Sequence, residues 1–191
     1  MKATVVLLPG FGGQADQPIL TRLCSRLEPL GLCCLRRAPP RLKLTPGLEA
    51  YGAWLDEQVS DVRGPLVIVG RSFGGRLAIR LAARRALAAV VLLGFPVRPP
   101  GKARPLDEQA LAALRCPTWI AQGTRDELGP MRVLRRCAGA AEIFPVRGAG
   151  HDFGAKEALV LDAAAEWVRK IFRSAPHPAP VPAGAGRGRP L

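Results

Sequence analysis

Gly70-Arg71-Ser72-Phe73-Gly74 follows the apolar run Leu66–Val69 and precedes a segment of helical period. In a strand–turn–helix setting, G-x-S-x-G raises a serine hydroxyl at the carboxyl edge of a sheet. The turn is tight, so larger side chains at Gly70 or Gly74 would collide with the neighbouring helix or strand. A serine hydroxyl is a weak nucleophile and needs a base. The sequence holds two histidines, and His177 lies in a Pro/Ala-rich tail, which leaves His151 in Val146-Arg147-Gly148-Ala149-Gly150-His151. A carboxylate that orients the imidazole should lie between serine and histidine in chain order, and Asp126 in Gly123-Thr124-Arg125-Asp126 fits. Glu127 and Asp152 stand behind it as substitutes.

Each of these residues also has an ordinary use. The glycines could simply make a turn, His151 could be an idle loop residue, and Asp126 could cap a helix. Their joint order, each just after an apolar run, favours nucleophile, base and acid. The Phe73 N–H, at a helix start, faces the place where an oxyanion would develop. A second donor is expected from Leu8-Pro9-Gly10-Phe11-Gly12-Gly13, where the Phe11 N–H is the candidate. The same loop offers a rival reading, because Gly10-x-Gly12-x-x-Ala15 is a loose dinucleotide fingerprint. Arg36 and Arg37 could then hold an NADP 2′-phosphate. That reading, an NADP-dependent reductase, leaves Ser72, Asp126 and His151 without a purpose.

The elements that must position these groups alternate. Candidate strands are Thr4–Leu8, Leu32–Arg36, Leu66–Gly70, Ala89–Gly94, Thr118–Gln122 and Glu142–Val146. Several are continuously apolar, as parallel strands covered on both faces are. Helical segments are Pro18–Leu30, Gly47–Val62, Gly75–Arg85, Gly129–Ala138 and Lys156–Phe172, with a shorter one at Leu106–Arg115. The pattern predicts an α/β fold, a doubly wound, mainly parallel six-stranded sheet with helices on both faces. Residues 1–173 are expected to form the domain. Residues 174–191, rich in Pro, Ala, Gly and Arg, read as a disordered tail.

The 191 residues carry 28 Lys+Arg against 15 Asp+Glu, a formal net charge of +13. The excess is nearly all arginine, scattered over helices and loops, and no stretch pairs a basic run with stacking aromatics. Nucleic acid is therefore not the expected partner. No apolar run approaches the ~18–20 residues of a membrane helix. Five cysteines, an odd count with no Cys-x-x-Cys, argue against both a disulfide framework and zinc. With no signal-peptide pattern, the cytoplasm is the expected location.

The order of elements from Thr4 to Phe172 resembles that of the α/β-hydrolases. Pro9–Gly13, Gly70–Gly74, Gly123–Asp126 and Gly148–His151 carry the likeness. More narrowly, the chain is similar to the short dienelactone-hydrolase-like group, which includes the testis-expressed and chromatin-complex-subunit hydrolase-like proteins and bacterial relatives. The resemblance implies Ser72 as nucleophile, Asp126 as acid, His151 as base and Phe11 and Phe73 as oxyanion donors. It also implies a central first strand and neither metal nor organic cofactor. Pro9-Gly10 stands where many members have His-Gly, two leading antiparallel strands are absent, and no cap domain fits between Phe95 and Cys116. Some relatives are non-catalytic.

The expectation is a serine esterase or thioesterase acting on a small-molecule substrate at an open site. Arg71 and Arg98, with Lys102 and Arg104, are expected around its mouth, where they would favour an anionic substrate. The alternative is a non-catalytic scaffold that binds a partner through the Phe95–Pro105 loop or the tail.

Overall fold

A computed structural model describes residues 2–40 and 48–174. The expectation of a tail lies outside these residues, except that Ser174 closes the last helix. The six strands are β1 (Thr4–Leu8), β2 (Cys33–Arg36), β3 (Leu66–Arg71), β4 (Ala89–Leu93), β5 (Thr118–Gly123) and β6 (Glu142–Val146). They form one sheet in the order β2-β1-β3-β4-β5-β6, parallel at every pairing. The first strand is interior but off-centre. β3 and β4 occupy the middle, because only β2 lies beyond β1.

Alternation along the strands splits the core in two. Val5 and Leu7 of β1 face one layer and Val6 and Leu8 the other. On the first face lie α1 (Pro18–Leu27) and α6 (Glu157–Ser174), which bury Leu20, Leu23, Val160 and Leu161. On the second lie α2 (Gly52–Gln58), α3 (Phe73–Ala82), α4 (Pro105–Ala112) and α5 (Met131–Cys137). Both faces are covered, so β1, β3, β4 and β5 are buried along their whole length.

Helix ends depart from the periodicity for local reasons. The segment expected to run to Leu30 leaves the α-helix at Leu27, and Glu28–Leu30 form a 3₁₀ turn. Pro29 has no N–H with which to continue the ladder. The segment expected from Gly47 divides into a 3₁₀ turn, Leu48–Tyr51, and the short α2, while Gly47 itself lies outside the described residues. Parallel strands with right-handed crossovers bring the loops after β1, β3, β5 and β6 to one edge.

Candidate active site

Ser72 occupies the turn between β3 and α3 with φ 50° and ψ −111°, in the left-handed half of backbone space. A non-glycine residue there is strained, and it persists because the flanking backbone leaves no alternative. A Cβ on Gly70 would strike the backbone of Gly74 and Gly75, and one on Gly74 would strike the Leu8 and Pro9 carbonyls. The first helical turn of α3 is therefore pressed between the ends of β3 and β1.

Three side chains from three loops form a continuous chain. Ser72 Oγ lies 2.9 Å from His151 Nε2, and His151 Nδ1 lies 2.8 Å from Asp126 Oδ2. An acceptor-only carboxylate at Nδ1 assigns the ring proton to that nitrogen, so Nε2 can accept from the Ser72 hydroxyl. Asp126 is only 3% exposed, yet its oxygens are well used. Oδ1 accepts from the Leu128 N–H at 2.9 Å, and Oδ2 also accepts from Gln122 Nε2 at 2.8 Å. Glu127 and Asp152, the two alternatives, are exposed and hydrogen-bond to none of these groups.

Gln122 was not foreseen. At the end of β5 and fully buried, it receives the Phe95 N–H at 2.8 Å and donates to Asp126 and to the Gly129 carbonyl at 2.9 Å. One amide thus ties the exit of β4 to the loop that carries Asp126.

Phe11 and Phe73 meet edge to face, ring centroids 5.8 Å apart, beside Ser72. Among the described residues, neither backbone amide has a hydrogen-bond acceptor. Phe11 is 78% exposed. The first strand's loop does not open directly into a helix: α1 starts at Pro18, eight residues past Gly10, and Gly10 N–H is taken by Gln17 Oε1. Arg36 reaches Thr21 instead of a cradle. The dinucleotide reading therefore lacks its helix N-terminus.

A cavity of about 570 Å³ opens from Ser72. Phe11, Tyr51, Phe73, Pro96 and Leu128 give it apolar walls, and Arg76, Lys102 and Arg104 a basic one. Lys102 and Arg104 stand where they were expected, but Arg71 and Arg98 do not line this cavity. Arg71 ends β3 and is 7% exposed, donating to the Leu93 carbonyl at 3.1 Å and lying over the Phe153 ring. Its Nη1 is 3.4 Å from His151 Nε2. Burial pulls this guanidinium below its ordinary pKa range, against the opposing pull of Asp126, Asp152 and Glu157. Arg98 turns away to Glu108 at 2.9 Å. A slightly larger cleft, about 620 Å³, lies at the opposite edge around Arg84, Arg115 and Pro117. It has no serine, histidine or carboxylate in its lining, so volume does not mark the chemistry.

Among the described residues, no three His, Cys, Asp or Glu side chains group as metal ligands, and no helix is long and apolar enough to cross a membrane. Residues 1–175 match the alpha/beta hydrolase domain family, and the chain belongs to it. Solved structures share the fold at low identity. Est1E from Butyrivibrio proteoclasticus is 14% identical with a TM-score of 0.72, the match covering 91% of this chain and 89% of that one. The Paleococcus ferrophilus monoacylglycerol lipase is 15% identical with a TM-score of 0.75, covering 88% and 94%. The esterase domain of a Rhodothermus marinus protein is 16% identical with a TM-score of 0.66, covering 88% and 87%.

Proposed function

We propose that this chain is a serine hydrolase of carboxylic esters or thioesters. Ser72 is its nucleophile, His151 its base and acid, and Asp126 the carboxylate that holds the imidazole tautomer. The observation that carries the reading is the hydrogen-bond chain from Ser72 through His151 to Asp126, 2.9 and 2.8 Å, ending on a strained serine. Membership of a hydrolase family and the esterase and lipase names of the structural neighbours support the ester class.

Ser72 Oγ attacks the acyl carbon as its proton passes to His151 Nε2. Charge gathering on the carbonyl oxygen meets the amides of Phe11 and Phe73, and one such donor contributes about 10²–10³ in turnover. The acyl bond to the leaving oxygen or sulfur then breaks, and His151 returns the proton to it. Water gives a proton to the same Nε2, attacks the acyl-enzyme and releases the acid, restoring Ser72.

We place the hydrolase domain at residues 1–173, in the short capless subgroup. The support is that Phe95 to Cys116 holds one helix, α4, of eight residues. All five cysteines are free, which suits a reducing compartment.

Intact-mass spectrometry after a fluorophosphonate tests the assignment. One adduct is expected on the wild type, absent in Ser72→Ala and suppressed in His151→Ala. A well-folded wild type without an adduct would overturn the catalytic reading in favour of a partner-binding scaffold.

A further inference from the structure

The cavity beside Ser72 has a charge imbalance that the chemistry at Ser72 does not require. Arg76, Lys102 and Arg104 line it, and no acidic side chain does among the described residues. Arg76, Lys102 and Arg104 continue into an adjoining cleft with Arg80, where Asp107 is the one carboxylate among the described residues. Asp107, 1% exposed, is shared between Arg76 at 2.5 Å and Arg80 at 2.9 Å. Among the described residues, these four cations and one carboxylate leave an excess of three positive charges.

Other acids nearby are already engaged. Glu108 faces Arg98 and Arg136. Arg104 has no carboxylate partner among the described residues, donates only to the Pro96 carbonyl at 2.9 Å, and buries an Nε with no acceptor. Burial and the neighbouring Arg76 charge both push its pKa down, with Asp107 pulling the other way. Such a like-charge cluster destabilises the fold slightly, and an incoming anion relieves it.

We propose that this wall is an anion subsite and that the preferred substrate is an ester bearing a free carboxylate or phosphate. Its uncharged reacting end lies at Ser72 among Phe11, Phe73 and Pro96, and its anionic end against Arg76, Lys102 and Arg104. The inference rests on the hydrolase reading for its chemistry, and its binding arm is independent of turnover. Arg76 lies in the first turns of α3, the helix that begins directly after Ser72, so this member of the subsite is held by the same element as the serine, while Lys102 and Arg104 come from the segment before α4.

The test uses the p-nitrophenyl half-ester of adipic acid against the methyl p-nitrophenyl diester, which differ at the far terminus by the charge and one methyl group. At low salt, kcat/KM should favour the half-ester by about tenfold, as expected for one charge contact of ordinary strength. The ratio should shrink toward one as salt rises. A p-nitrophenyl ester with a terminal phosphate replaces the carboxylate in a second arm, and the larger preference tells which anion the wall suits. Lys102→Glu, at an exposed site, and Arg104→Gln should each bring the ratio down severalfold. Arg115→Glu, equal in charge change to Lys102→Glu but at the opposite edge of the sheet, should leave it alone.

Equal cleavage of charged and neutral esters at low salt, or a ratio indifferent to Lys102→Glu, would overturn the subsite. With Ser72→Ala, calorimetry of monomethyl against dimethyl adipate asks the same question without chemistry. If the wild type neither labels nor turns over, the hydrolase reading fails. A half-ester preference in that titration then sustains the anion subsite, and its absence ends it.

Discussion

Two walls meet at Ser72, and they are built on opposite principles. On the Asp126 side the buried polar atoms have partners: both carboxylate oxygens are occupied, and the Gln122 amide spends its oxygen and its nitrogen on three neighbours. On the Arg104 side cations outnumber carboxylates, and buried Nε atoms of Arg80 and Arg104 have no acceptor among the described residues. A saturated network fixes atoms in place, because any displacement breaks a buried hydrogen bond. An unsaturated cluster of charge fixes little but projects a field into the cavity. Under the proposed hydrolase reading, the first wall would orient the reacting groups and the second would select what approaches them.

The sharpest way to break the first wall is Asp126→Asn. An amide nitrogen facing Nδ1 would repel the ring proton to Nε2, which could then no longer accept from Ser72. Turnover of p-nitrophenyl acetate should fall by about 10³–10⁴ with the fold intact. A loss below tenfold would show that the carboxylate does not set the tautomer. Gln122→Leu should do less. It removes the partners of the Phe95 N–H and the Gly129 carbonyl and one contact to Asp126. Each buried group left unpaired costs about 1–3 kcal/mol, and each kcal/mol lowers Tm by about 2–4 °C in a domain of this size. Turnover should drop about tenfold, a share of that same lost energy, with KM nearly unchanged. A lower Tm with unaltered kcat would make Gln122 a structural residue and not a positioning one.

The two walls also differed in how far the sequence revealed them. The strands could be read because β1, β3 and β4 are continuous apolar runs, and continuous burial needs no partner to be recognised. Ser72 came from its glycines, and Asp126 and His151 from their places after β5 and β6. Gln122 left no trace, since a glutamine ending a strand looks like the point where a strand meets water. Its burial arises only when the exits of β4 and β5 close around it. The basic wall was legible only in part: Lys102 and Arg104 line the cavity as expected, whereas Arg71 and Arg98 do not. Sequence gives the charge of Arg71 and Arg98 but not their direction, and Phe153 covers one while Glu108 captures the other. Arg76 did have a signal, in the helical segment that follows Ser72.

The second wall makes a prediction of the opposite sign, and the smallest. Lys102 is exposed, its only hydrogen bond among the described residues is through its backbone N–H to the Pro99 carbonyl, and Arg76 and Arg104 share its cavity. Removing its charge as Lys102→Gln relieves repulsion and costs no partner, so stability should stay within about 0.5 kcal/mol of wild type. Any change should be a gain, largest at low salt and gone near 1 M, where charges more than about 3 Å apart no longer sense one another. Thermal melts at two ionic strengths read this directly. A Tm that falls, and falls equally at both, would mean that Lys102 packs or pairs within the fold. The wall would then be structural like its neighbour, and the contrast between an ordered network and a waiting charge would disappear.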